Sequence, residues 1–75
     1  MTKFRDLSIG AIFKLSKSSS VLYVKTLSFK ADYGMERNAF NTDTGNFTHF
    51  ENNRSVVYIG KVRDPNKKDV IVTQG

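Results

Sequence analysis

The apolar positions of the chain change period at Gly10. Phe4 and Leu7 are three apart, as on one helical turn. Ala11, Phe13 and Leu15 alternate with Ile12 and Lys14, as in a strand. The hydroxyl of Thr2 is placed to cap the first run, and Gly10 lets the backbone leave it with φ > 0. The pattern therefore predicts a one-turn plug over Phe4–Leu7 and a first strand over Ala11–Leu15. Ile12 shares a face with Lys14, so the outer face of that strand is not wholly polar. Ser16–Ser20 lacks an apolar anchor, and its hydroxyls compete with backbone ladders, which makes it a loop. Val21–Leu27 is rich in β-branched and aromatic residues and is apolar on both faces. It reads as a central strand paired antiparallel with Ala11–Leu15.

Ser28–Arg37 has no single period. Gly34 and two acidic residues favour a loop, while Phe29 and Tyr33, four apart, would suit a helical turn. It is read as an irregular excursion. Asn38–Phe50 predicts a hairpin, with Phe40 and Phe47 flanking Asp43-Thr44-Gly45 and Gly45 at a left-handed turn position. Ser55–Gly60 is another strong strand. After Gly60 the chain turns polar, and Pro65 lies in a charged, turn-like run. Residues 69–73 read as a last edge strand or as a tail.

These elements predict an all-β domain over residues 1–62, followed by a polar segment over 63–75. The economical architecture is a small five- to six-stranded antiparallel barrel, SH3-like or OB-like, with a one-turn N-terminal helical plug. Its core is expected to include Phe4, Phe13, Tyr23, Ile59 and at least one of Phe47 and Phe50.

Composition narrows the chemistry. The 75 residues make one domain and include no cysteine, which removes disulfides and thiolate metal sites and fits a cytoplasmic protein. No apolar run reaches the roughly 18–20 residues of a membrane span, so no membrane association is expected. No apolar block of a signal peptide follows Lys3 and Arg5. Asn46-Phe47-Thr48 and Asn53-Arg54-Ser55 match the glycosylation pattern, but without such a signal they read as chance matches.

His49 is the single histidine, with only Glu51 close by, so neither a metal nor another cofactor is expected. No serine lies in a G-x-S-x-G elbow, and no phosphate-binding glycine loop occurs. Asp43-Thr44-Gly45 matches the aspartic-protease triplet, yet a single copy between two strands is a hairpin turn. The reading is a non-enzyme.

Twelve basic side chains against seven acidic give a net charge of +5. The excess is greatest over residues 1–30, where Lys3, Arg5, Lys14, Lys17, Lys25 and Lys30 face Asp6 alone. Nine aromatics accompany them. Small barrels that bind single strands stack bases on exposed aromatics and follow phosphates with Lys and Arg. The candidate nucleic-acid contacts are Lys14, Lys25, Lys30, Arg37, Phe29 and Tyr33, with Phe40 a further member of an exposed cluster.

The succession Phe4, Leu7, Gly10, Phe13, then Tyr23-Val24-Lys25, Thr44-Gly45 and Val56–Ile59 resembles a loose group of small bacterial and phage-encoded proteins of unknown function. The resemblance spans residues 4–60. It implies a compact β-domain and supplies no active site. Two functions of different class follow. One is weak, sequence-independent nucleic-acid binding. The other is a protein-interaction module, such as a small phage or bacterial regulator acting on a larger host complex.

Overall fold

The structure, a computed structural model, describes residues 2–62. Five strands form one antiparallel sheet: β1 (Ala11–Lys14), β2 (Tyr23–Lys30), β3 (Glu36–Asn41), β4 (Asn46–Thr48) and β5 (Val57–Lys61), in the order β4-β3-β2-β1-β5. The expected plug is a 3-10 turn over Phe4–Asp6. Its N-cap is Lys3, whose backbone N–H donates to Asp6 Oδ2 (3.3 Å), while the carbonyl of Thr2 accepts from Val56. Thr2 thus joins the plug to residue 56 rather than capping it by its hydroxyl.

The region expected to be irregular is mostly strand. β2 runs on to Lys30 and returns as β3 through a 3-10 turn at Asp32–Gly34. Cross-strand pairing of Phe29 with Arg37 and of Lys30 with Glu36 imposes an extended backbone that local pattern did not show. A register shift between Lys25 and Phe29 breaks the alternation, which is why no period could be read there. The predicted hairpin at Asn38–Phe50 forms around a Thr42–Gly45 turn. Asn41 Oδ1 accepts the N–H groups of Asp43 (2.8 Å) and Thr44 (3.2 Å), and Gly45 takes φ 76°.

One face of the sheet makes the core. Phe4, Leu7, Ala11, Phe13, Ala39 and Val56 are buried, with Leu15, Tyr23 and Phe50 packed against them. The rings of Phe4, Phe13, Tyr23 and Phe50 lie 5.0 to 5.8 Å apart in five contacts, mostly edge-to-face, the preferred arrangement of aromatic quadrupoles. Ile59 is not in this core. The β1–β5 register shifts between Ile12 and Phe13, so that Phe13 pairs Tyr58 and Ile12 pairs Gly60. Ile59 is the bulged residue and is about half exposed, at 48%, and Val56 fills the buried place instead.

The opposite face carries a row of its own. Gly60, Ile12, Val24, Phe40 and Phe47 are successive cross-strand partners through β5, β1, β2, β3 and β4. Directly opposed residues share a face, so the row crosses the whole sheet.

The sheet does not close into a barrel: β4 and β5 are its two ends. After Thr48 the chain leaves the ladder and Phe50 turns into the core. The Asn38 side chain holds it there, donating from Nδ2 to the Phe50 carbonyl (2.9 Å) and accepting the Phe50 N–H at Oδ1 (2.8 Å). The chain then crosses to β5 beside the plug, with Phe4 N–H bonded to Arg54 O (2.8 Å) and Arg5 N–H to Asn52 O (3.0 Å). The sequence expectation of a strand or tail over residues 63–75 lies outside the described residues.

Candidate functional site

The far ends of β2 and β3 project past the end of β1 as a hairpin arm. β1 pairs with β2 only at Tyr23 and Val24, with one further bond from Gly10 N–H to Lys25 O. From Thr26 onward β2 has β3 on one side alone. Exposed apolar side chains gather on this arm: Leu27 at 72%, Phe29 at 37%, Tyr33 at 100% and Met35 at 53%. At the tip, Tyr33 has φ 64° and Gly34 φ 72°. A left-handed aromatic residue is uncommon, because its Cβ crowds the following carbonyl.

Phe29 extends the apolar arm onto the sheet. Its ring meets Phe47 edge-on (5.0 Å, 90°), and Phe47 meets Phe40 at 5.0 Å and 62°. The expected cluster of Phe29 and Phe40 therefore exists, but with Phe47 as its centre. Tyr33 stands apart at the tip.

The basic candidates do not converge. Lys25 points inward, where Nζ donates to Phe4 O (2.9 Å) and Leu7 O (2.8 Å) and lies 4.6 Å from the centre of the Phe4 ring. The ammonium thus gives the Leu7 carbonyl a partner beyond the end of the short turn and adds a second donor to the Phe4 carbonyl, which already accepts the Leu7 N–H. Burial pushes its pKa below the usual 10.5, and the nearby Asp6 carboxylate opposes that shift. Lys14 lies at the other end of the sheet from the arm and donates to Lys17 O (2.9 Å). It is level with Leu22, seven residues along β2 from Phe29, or about 23 Å of strand. Lys30 and Arg37 do lie on the arm, opposite Glu36 and Phe29 respectively.

A cleft of about 590 Å³ separates the inner side of the arm from the turn after β4. His49 stands between two carboxylates there, with Nε2 3.7 Å from Glu36 and Nδ1 3.8 Å from Glu51. Ser28 Oγ bonds to Glu36, not to His49. The hydroxyl therefore has no imidazole base beside it, as a serine nucleophile would need. Among the described residues no group of three or more His, Asp or Glu side chains is arranged to hold a metal ion.

Two features of this region were not read from the sequence. Leu27 closed an apolar strand pattern, and only the register shift exposes it. Glu36 lies in what read as a separate segment from His49 and Glu51, with no spacing to connect it to them. Among the described residues no helix is long and apolar enough to cross a membrane. Comparison with family models, with curated proteins and with solved structures finds no match.

Proposed function

We propose that the chain is a non-enzymatic protein-interaction module that engages its partner through the β2–β3 arm. The observation that carries this reading is the crowding of exposed Leu27, Phe29, Tyr33 and Met35 on one projecting element. Aromatic, Met and Arg side chains are enriched at protein interfaces, and Phe29, Tyr33, Met35 and Arg37 all lie on this arm. Arg37 and Lys30 supply polar contacts at its edge, offset by Glu36. The regulator of a larger assembly fits this reading, since a small module with one protruding arm adds a contact without an active site.

Nucleic-acid binding is the weaker reading. Lys25 is spent on the plug, Lys14 lies far from Phe29, and the Phe29, Phe40 and Phe47 rings use their faces and edges on one another. Base stacking requires free ring faces beside a continuous basic track. In fold terms, we infer an SH3-like strand order with an open seam between β4 and β5 rather than an OB-like barrel. The uninterrupted β1–β4 meander with β5 returned to the β1 edge supports that inference.

The test is photocrosslinking in the cells that express the chain, with benzoylphenylalanine at position 33 and, as control, at exposed position 18. A discrete protein adduct from position 33 alone, surviving nuclease treatment, is expected. Adducts to nucleic acid only, together with salt-sensitive binding of labelled single strands near 50 mM salt, would replace this reading with the other.

A further inference from the structure

We infer that the sheet face opposite the core pairs with the same face of a second copy of this chain. An antiparallel sheet normally turns one apolar face inward and one polar face to water. Here the outward row is Gly60, Ile12, Val24, Phe40 and Phe47, and Phe47 is about half exposed, at 47%.

The row is tapered, with no side chain at its β5 end and a phenylalanine at its β4 end. A twofold axis parallel to the strands and passing over β2 reverses the row in the second copy. Phe47 then meets the empty place at Gly60, Phe40 meets Ile12, and Val24 meets Val24. The larger side chain faces the smaller on either side of a central pair of equal valines, so the surface is complementary to itself, as a twofold interface must be. Stacked sheets pack about 10 Å apart with their strands nearly aligned, which this axis produces.

Charge agrees with shape. Lys14 follows Phe13, which pairs Tyr23, and Thr42 N–H bonds to Leu22 O, so Lys14 and the Thr42–Gly45 turn lie at the same end of the sheet. The same axis exchanges β1 with β3. It carries Lys14 of each copy over the Thr42–Asp43 corner of the other, where Asp43 is exposed. Two opposite-charge contacts result, and no like charges are brought together along the row.

The area sets the strength. Five strands at about 4.8 Å, each contributing about five residues at 3.3 Å, give roughly 400 Å² in projection. That is about half of the ~800 Å² each partner gives to a standard interface, so the pair is weak and exchanges rapidly. Apart from Phe29, whose ring lies against Phe47, the arm stays outside it and remains available to a partner.

Gly60 offers a probe, because a Cβ built there meets no atom within 4 Å among the described residues. Gly60→Leu fills the place that Phe47 of the second copy would take, and thermal melts report whether the monomer tolerates it. Sedimentation equilibrium from about 10 µM to 1 mM should show a monomer–dimer equilibrium, weakened at least about tenfold by Gly60→Leu. Lys14→Glu should weaken it about threefold to tenfold, and Lys14→Glu with Asp43→Lys should recover most of that loss, the scale of two exposed ion pairs. Thermal melts at 10 µM check that each variant folds. A parent that stays monomeric at 1 mM overturns the inference, whether the face is then left to water or covered by residues 63–75 or a foreign protein. So does a dimer that Gly60→Leu and the charge exchange leave unchanged.

Discussion

Lys25 shows how one side chain can change the sense of a sequence. In the pattern VLYVKTL it is the single polar interruption of a strand and reads as a surface cation. Its amine instead reaches back across the sheet to the carbonyls of Phe4 and Leu7. Nothing local announces this, because the acceptors lie some twenty residues earlier in the chain. Replacing it with methionine keeps the stem and deletes the donors. Lys25→Met should cost about 1–3 kcal/mol, the penalty of leaving the part-buried Leu7 carbonyl unpaired and the Phe4 carbonyl with the Leu7 N–H alone, measured as a shift of the urea midpoint at pH 7. The pH dependence has a definite sign. Since the folded-state pKa lies below 10.5, the unfolded chain holds more protons just below that pH, and the contribution of this group to stability rises with pH there. The difference between parent and Lys25→Met should therefore widen in the parent's favour from pH 8 to 10.5. An unchanged midpoint at pH 7 would show that water serves the two carbonyls equally well.

The β2–β3 arm is the element that local pattern described least well. Ser28, Gly34 and two acids gave it the composition of a loop, whereas its extended form comes from cross-strand partners and from a bulge that erases the period. The Asn38–Phe50 hairpin was legible for the opposite reason. Its turn is built from Asn41 and Gly45, residues whose local preferences agree with the fold. The arm also holds strain. Tyr33 sits at φ 64° while its side chain is fully exposed, so no intramolecular packing offsets a cost of order 1 kcal/mol. Asparagine tolerates that conformation far better. Tyr33→Asn should stabilise the fold by about 0.5–1 kcal/mol, or roughly 3–6 °C in melting temperature, and should weaken partner capture by the arm. A lower melting temperature would remove strain from the explanation.

For the molecule as a whole, the stability margin rests on a few aromatic rings. A domain of this size rarely has more than about 3–5 kcal/mol in hand, and removing a buried Phe ring costs about as much. Phe13 is fully buried and touches the rings of Phe4, Tyr23 and Phe50. Phe13→Ala should abolish the cooperative melt followed by near-ultraviolet circular dichroism, while Ile59→Ala, at the half-exposed bulge, should change stability by less than about 1 kcal/mol. Equal effects would contradict the register of β5. The strand set and most of the core were readable from alternation and apolar runs. The open seam was not. It depends on the amide of Asn38 replacing a strand partner for Phe50, a tertiary match between residues twelve apart that carries no periodic signal.

The stitching of the plug to residues 52–56 sets an order of events during synthesis. Thr2, Phe4 and Arg5 find their backbone partners at Val56, Arg54 and Asn52, so the plug waits for residues about fifty positions later in the chain before it is secured. The β2–β3 and β3–β4 hairpins close short loops and form early, whereas closure of the longest loop waits for residue 56 to leave the ribosome. Pulse-labelled hydrogen exchange during refolding should find the amides of Thr42 and Gly45 protected first, and those of Phe4 and Val56 protected together in a later phase. Protection of Phe4 ahead of Thr42 would reverse that order. A nascent chain accordingly presents its arm and the edge of β1 that β5 later covers before its plug is seated, and it passes through that open form each time it is made.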